Sequence, residues 1–522
     1  MIAVAIALFQ AAGPALDAVA WQEAVIRVGT IEIVVSEVFD AQRASTSWPY
    51  RIANKLHVLT RESVVRQELL FASGDVYDPE AVAQTERNLR ALAFFRDARV
   101  ETTRVAGEAG SAVMNVRVNT WDAWSTVPEL TFAKVGNRYI WEAGISEKNL
   151  LGRGKHVAVT TGSGIDRDVT RLLFEDPRVA GSRFQLRTQY ANQDDGNSSF
   201  LEVERPYFSI QSAWSGSVKI AGFDQLAPIY EAGERVSNLR HVRRAYGLEI
   251  SRAVSRRSAS AFRLHTAYRF LEDEVAGALR SFGIFEVGVS TIQHKFLTLT
   301  HINHFERAED FNLGLELRAS IGVSTRWLGG EPGTVFFFGV HHQRSVRFGA
   351  EQFLTASLSW NARHRGQRIE NSLAEVKLNY LNKLSGRKTL VAAAELDYGT
   401  RLDPEVQVTL GADNGLRGFP VRQWVGDRSL RISIEQRWFI VDDFLQVASL
   451  GIAAFTDSGY AWPTGRRMDL SDLRTNVGVG LLVGRNRLST AHPSFRLDIA
   501  YTFEPVEGRS RWLLSAGSEI EI

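Results

Sequence analysis

The segment 494-SFRLDIAYTF-503 sets Phe495, Leu497, Ile499, Tyr501 and Phe503 on one face and Arg496, Asp498, Ala500 and Thr502 on the other. Alternation of this period is a strand signature. Two neighbours repeat it. In 428-RSLRISIEQRWF-439, Leu430, Ile432, Ile434 and Trp438 oppose Arg431, Ser433, Glu435 and Arg437. In 511-RWLLSAGSEIEI-522, Trp512, Leu514, Ala516, Ile520 and Ile522 oppose Arg511, Ser515, Glu519 and Glu521. A soluble sandwich with one wet face alternates in the same way. Length separates the two: many of these segments run about 10–14 residues, which suits a tilted membrane strand better than a globular one. Aromatics at segment ends, such as Trp438, Tyr501, Phe503 and Trp512, suit interfacial girdles. The pattern therefore points to a transmembrane antiparallel β-barrel over residues 121–522. At roughly 25 residues per strand with its connection, that stretch makes about sixteen strands, an even number as single-chain bacterial barrels require.

The rest of the composition removes alternatives. The 522-residue chain carries 61 basic and 59 acidic residues, a formal charge of +2, so it lacks the one-sided field of a nucleic-acid binder. It has no cysteine, which excludes disulfides, thiolate metal sites and cysteine nucleophiles. No segment approaches the roughly 18 consecutive apolar residues of a membrane helix. Residues 1–20 have an apolar core and end in Ala18-Val19-Ala20, a signal-peptide pattern without the basic start.

Residues 26–120 read differently. A strand at 27–39 precedes a helix over 60–71, for which Thr60 is the expected cap. A second helix over 78–92 has Asp78 as cap, Pro79 at its first position, and Val82, Leu89 and Leu92 on one face. Strands at 95–105 and 112–120 complete a small α+β domain.

This order, the R-G-aromatic tripeptide in 415-GLRGFP-420, and 455-FTDSG-459 one hairpin later resemble the BamA/TamA-type outer-membrane assembly and translocation superfamily. The small domain resembles a single POTRA domain. The stretch 143-AGISEKNLLGRGKHVAV-159 is similar to the family's first hairpin, and 477-VGVGLLVG-484 to its final glycine-rich strand. Five readable strands follow the tripeptide, as in the family. Two features depart from it: only one POTRA-like domain fits, and the chain ends in Ile522 rather than an aromatic residue.

Alternation places Asp457 and Glu435 on the lumen side of adjacent strands. Two carboxylates in a confined interior attract a guanidinium that can make forked hydrogen bonds, and Arg417 is the candidate. Gly415 and Gly418 are expected to let its loop turn inward, with Phe419 packing on the wall or on Phe455. The resemblance implies the same: the loop arginine docks at the F-x-D-x-G strand, which here includes Asp457 and Gly459. Such docking is conformational and the chain is expected not to be an enzyme. There is no G-x-S-x-G elbow, 478-GVGLLVG-484 lacks the spacing and context of a phosphate loop, and His301, His304, His341 and His342 lack metal-ligand spacing. No cofactor is implied.

The resemblance implies a protein of the Gram-negative outer membrane with a periplasmic POTRA-like domain, acting on unfolded outer-membrane or secreted protein clients, with accessory periplasmic or lipoprotein partners. A client strand would add to the POTRA sheet edge, then meet a weak seam between the first barrel strand, near 139–147, and the last, 510–522. The alternatives are a two-partner-type secretion translocator, a passive outer-membrane channel and a soluble all-β binding or hydrolytic protein.

Overall fold

A computed structural model describes residues 26–39, 45, 48–106, 112–444, 448–484, 494–504, 506, 508 and 510–518. The signal-peptide expectation, and Glu519 to Ile522, lie outside the described residues.

The first unit is a three-stranded sheet covered by helices. Strand β1 (Arg27–Ser36) leads through α1 (Trp48–Leu56), α2 (Glu62–Glu68) and α3 (Pro79–Ala91) to β2 (Phe95–Ala106) and β3 (Ala112–Asp122). The order in the sheet is β1-β3-β2, with β1 parallel to β3 and β2 antiparallel to it. Helix α3 begins as its sequence predicts: the Asp78 carboxylate accepts the Glu80 N–H at 2.9 Å, Pro79 occupies the first turn, and Val82 and Leu89 enter the core. They pack there with Val64, Val65, Phe94, Phe95, Val116 and Val118. Helix α2 is shorter than its sequence suggests, and Thr60 does not cap it. The Thr60 N–H and hydroxyl instead donate to the buried Asp122 carboxylate at 2.8 and 2.9 Å.

A closed antiparallel barrel follows. Its first six strands are short: β4 (Thr126–Val135), β5 (Arg138–Glu147), β6 (His156–Ser163), β7 (Asp168–Asp176), β8 (Gln185–Gln193) and β9 (Gly196–Arg205). Next come the tall hairpins β10 (Trp214–Glu231), β11 (Glu234–Arg257), β12 (Ser260–Val275) and β13 (Ala278–Gln293). A small hairpin outside the wall, β14 (Phe296–Leu299) and β15 (Glu309–Asn312), precedes β16 (Glu316–Ser324), β17 (Val335–Gly349), β18 (Gln352–Arg365), β19 (Arg368–Ser385) and β20 (Lys388–Thr400). A second small hairpin, β21 (Val408–Leu410) and β22 (Trp424–Gly426), precedes β23 (Arg428–Phe444), β24 (Ala448–Trp462), β25 (Arg474–Gly484), β26 (Ser494–Thr502) and β27 (Trp512–Ser518).

The wall has 20 strands, not about sixteen. The difference arises in β4 to β9, where six strands fit into residues 126–205 because several are joined by tight turns. The polar stretch 223–239 is not a loop but the paired tops of β10 and β11. The first wall strand is β4, not the segment near 139–147, and 143–159 forms the second hairpin of the wall.

The outer surface of the wall is apolar. Phe495 and Ile499 face outward while Arg496, Asp498 and Thr502 are buried inside, and Tyr246, Leu248 and Ile250 are exposed along β11. Similar exposed apolar side chains circle the wall, including Leu172, Val287, Ile321 and Ile434. A closed barrel satisfies every internal strand edge, and an apolar outer belt places it in a bilayer. Leu248→Arg, on this belt, is expected to cost roughly 2–4 kcal/mol if it sits at the midplane and less toward either interface. Urea titration of folding into vesicles measures it.

The small domain is bolted to one rim of the barrel. Asn149, between β5 and β6, donates to the Thr60 hydroxyl at 2.8 Å, Arg178 pairs with Glu68, and Arg90 of α3 grips Asp310 of β15 at 2.8–3.0 Å.

Candidate functional site

The connection between β20 and β23 leaves the rim opposite the small domain and folds back into the lumen. Its β21–β22 hairpin narrows to a turn at Ala412–Asn414, where Asn414 Oδ1 accepts the Gly411 N–H at 2.7 Å. Gly415 then takes φ 107°, which only glycine adopts without strain. Gly418 serves otherwise than expected. Its φ is not left-handed; a Cβ there would lie 2.6 Å from Asn476 Cβ and 3.0 Å from Thr502 Cγ2, so it permits close approach to the wall. Leu416 and Phe419 are fully buried with Leu410 and Ala461. Phe419 meets Trp424 edge-on at 4.8 Å rather than Phe455. Gly459 leaves room for this packing, since a Cβ there would be 2.8 Å from Leu410.

Arg417, 6% exposed, therefore reaches the inner wall. Its Nε and Nη2 donate to the two Asp457 oxygens at 2.9 and 2.7 Å, and its Nη1 donates to Glu435 at 2.5 Å. The guanidinium lies 3.5 Å from the centre of the Phe455 ring. Asp457 also accepts from Ser433 at 2.7 Å and Asn476 at 3.0 Å. The register brings these together: Ser433 faces Asp457 across β23–β24, and Asp457 faces Asn476 across β24–β25. The structure thus unites Arg417, Asp457, Glu435 and Phe455, while Gly418 and Gly459 shape the seat.

Two arginines complete the cluster without having been singled out by sequence. Arg437 Nε donates to Glu435 at 2.7 Å. Arg496 forks onto Glu435 at 2.9 and 2.7 Å and onto Asp498 at 2.8 and 2.7 Å. Three guanidiniums thereby balance three carboxylates in a site almost free of water contact, the condition under which buried charges are tolerated. Their signal was present, because the alternation of β23 and β26 already turned Arg437, Arg496 and Asp498 inward.

The glycines of 477-VGVGLLVG-484 acquire a purpose here. Gly478, Gly480 and Gly484 line the inner side of β25 as a trough. A Cβ on Gly478 would meet the Phe455 ring at 2.3 Å, one on Gly480 would meet Asp498 at 2.2 Å and Arg496 at 3.2 Å, and one on Gly484 would meet Phe305 at 2.4 Å. Arg496 crosses this trough to reach Glu435 two strands beyond its neighbour. Gly480→Val is expected to break that reach and destabilise the barrel by roughly 1–3 kcal/mol, as overpacking does; urea unfolding of the purified protein checks it.

A second inward segment enters from the small-domain side. Between β13 and β16, Phe305 packs edge-on against Phe439 at 5.0 Å, beside Ala453 and Leu482. Arg437 Nη1 donates to the Ile302 carbonyl at 2.8 Å, so Arg437 joins this segment to the Arg417 cluster. His301 pairs with Asp442 at 2.8 Å. The Glu309 carboxylate accepts the N–H groups of Ile302, Asn303 and His304 at 3.0–3.3 Å. Burial pushes its pKa up to about 6, against those N–H groups. A carboxyl raised on folding holds best below its unfolded value, near 4.5, and loses that contribution as pH rises through 6. Hydrogen exchange at residues 301–305, corrected for intrinsic rates, should thus quicken between pH 4.5 and 6, and Glu309→Gln should remove the trend.

Elsewhere, Glu375, Glu395 and Asp397 form the one cluster among the described residues with the spacing of a metal site. Lys377 and Arg431 already pair with Glu375 and Glu395 there.

Fold and site together define a membrane-spanning barrel whose lumen holds an inward-docked loop. No family model and no curated protein matches the chain. Among solved structures, it is similar to BamA from Haemophilus ducreyi lacking POTRA domains 1–3, at 11% identity and a TM-score of 0.41, over 94% of this chain and 84% of that one. It is also similar to CdiB from Acinetobacter baumannii, at 13% identity and 0.46, over 95% and 74%. CdiB from Escherichia coli matches at 13% and 0.44, over 94% and 76%.

Proposed function

We propose that this chain is a BamA/TamA-type outer-membrane barrel that inserts or translocates protein clients, with its small domain acting in the periplasm as a POTRA-like base. The supporting observation is the seam. Strands β26 and β27 pair continuously from Phe495–Ser518 to Tyr501–Trp512, and β27 meets β4, the first wall strand, at Ala516–Lys134. Strand β4 also carries Pro128, a residue that sheets confine to edges and strand ends. An edge with free backbone donors and acceptors templates an incoming strand, the pairing most barrels suppress. The Arg417 cluster lies directly behind it: Arg417, Arg496 and Asp498 line the same cavity as Ala516, Gly517 and Lys134. In this role the chain aligns backbones rather than making bonds, and it needs no cofactor. Periplasmic chaperones or lipoproteins are the accessory partners such a base would receive.

Reconstitution tests this. Vesicles containing the purified chain should fold an unfolded small outer-membrane barrel several-fold faster than protein-free vesicles; equal rates would overturn the proposal. One observation favours the translocator reading instead. On the wall opposite the latch, a lumen cavity of about 560 Å³ is lined by Lys219, Arg243, Arg269, Arg318 and Arg363 with Asp273, Glu286 and Asp403, polar surroundings suited to a moving extended chain.

A further inference from the structure

We propose that helix α1 is a membrane foot, docking through Trp48, Ile52 and Leu56 onto the anionic lipid surface on the small domain's side of the bilayer. The inference rests on the membrane placement of the barrel and goes beyond client handling.

The helix has two unlike faces. On one, Tyr50 stacks on Phe39 at 4.5 Å, and Asn54 holds the Phe39 backbone through bonds of 2.7 and 3.2 Å. That face fixes the helix to the domain. On the other, Trp48 is 69% exposed, Ile52 47% and Leu56 69%, one residue per turn. Such a stripe, headed by tryptophan, is what an interfacial helix presents to the headgroup boundary.

The stripe does not end with the helix. Val58 and Leu59 remain exposed and lie against Gly152, where a Cβ would meet the Leu59 carbonyl at 2.4 Å and Val58 Cγ1 at 3.5 Å. The neighbouring Leu151 is held at φ 54°, a conformation costly for leucine, with its side chain 60% exposed. It sits in the turn joining β5 and β6, whose outward Ile145 and Val159 belong to the lipid belt. The apolar surface of α1 is therefore continuous with a lipid-facing surface.

Charge selects the lipid. Arg51 and Lys55 are exposed along the border of the stripe, placed to extend toward phosphates while their stems lie on apolar surface. Between Asp40 and Glu62 the sequence has no acidic residue. A basic, tryptophan-bearing face fits an anionic headgroup layer, which attracts nearby cations.

Because the chain has no cysteine, single labels are unambiguous. The full chain carrying a polarity-sensitive fluorophore on Ile52→Cys is reconstituted in phosphatidylethanolamine–phosphatidylglycerol vesicles. Leu248→Cys on the belt and Thr103→Cys on exposed β2 serve as references. The Ile52 label should be quenched by shallow spin-labelled lipid and be several-fold less accessible to iodide than the Thr103 label. Arg51→Glu with Lys55→Glu should reduce that shielding. Iodide access at Ile52 equal to that at Thr103 would overturn the foot while a buried Leu248 label upheld the barrel. Shielding that persists without lipid in amphipol, and rises with protein concentration, would assign the face to a second copy and also overturn it. A water-exposed Leu248 label would overturn the membrane placement and the foot with it.

Discussion

Glu435→Gln is expected to destabilise the folded barrel by about 3–5 kcal/mol, the cost of leaving buried charges without their partner. No other side chain in the cluster carries as much. One carboxylate with no exposed surface receives Arg417 at 2.5 Å, Arg437 at 2.7 Å and Arg496 at 2.7 Å. Glutamine keeps the volume and one acceptor but leaves three guanidiniums facing Asp457 and Asp498 alone. Arginine does not deprotonate to escape, so the strain must appear as opening of the site. The urea midpoint of the heat-modifiable folded form should fall, and the loop 401–427 should become accessible to protease. An unchanged midpoint would show that the three arginines do not depend on this carboxylate.

Arg417→Ala should act differently. The barrel keeps its wall, because Asp457 retains Ser433 and Asn476 as donors. The loop loses its plug, so gel mobility of the folded form should loosen and client assembly or secretion should fall sharply. Arg417→Lys should not rescue it, since an ammonium cannot span both Asp457 oxygens and Glu435 as the planar fork does. Asp457→Asn should give the same defect, and the double variant should fall short of the sum by roughly 0.5–3 kcal/mol, as directly paired residues do. Full additivity, or normal client handling by Arg417→Ala, would remove the latch from the mechanism.

The alternation of β23, β24 and β26 was legible because most inward positions there are polar or small, Phe439 and Phe455 excepted, and most outward ones apolar, so faces could be assigned without coordinates. From the faces followed Asp457 and Glu435, and from their charge a docked arginine. The strand number was not legible. Strands β4 to β9 are short, and turns such as Gly136-Asn137 blur one strand into the next. The tops of β10 and β11 continue with polar residues that read as loop. Helix α1 also escaped notice, since 48-WPYRIANKL-56 has no acidic first turn and its apolar stripe is too short to declare a period. The contacts of Phe305 with Phe439 and of Arg437 with Ile302 join residues more than a hundred apart, which no local pattern encodes.

The seam between β4 and β27 offers the most direct test of the account. A Cβ on Gly517 lies 3.1 Å from Ala133 Cβ, close to the roughly 3.5–4.5 Å of a disulfide. Ala133→Cys with Gly517→Cys places the chain's only two thiols across the seam. Reconstituted and oxidised, this variant should fail to fold an unfolded barrel client, and reduction should restore the unlocked rate. Client folding that proceeds equally with the seam locked would contradict the account and send the client through the lumen instead.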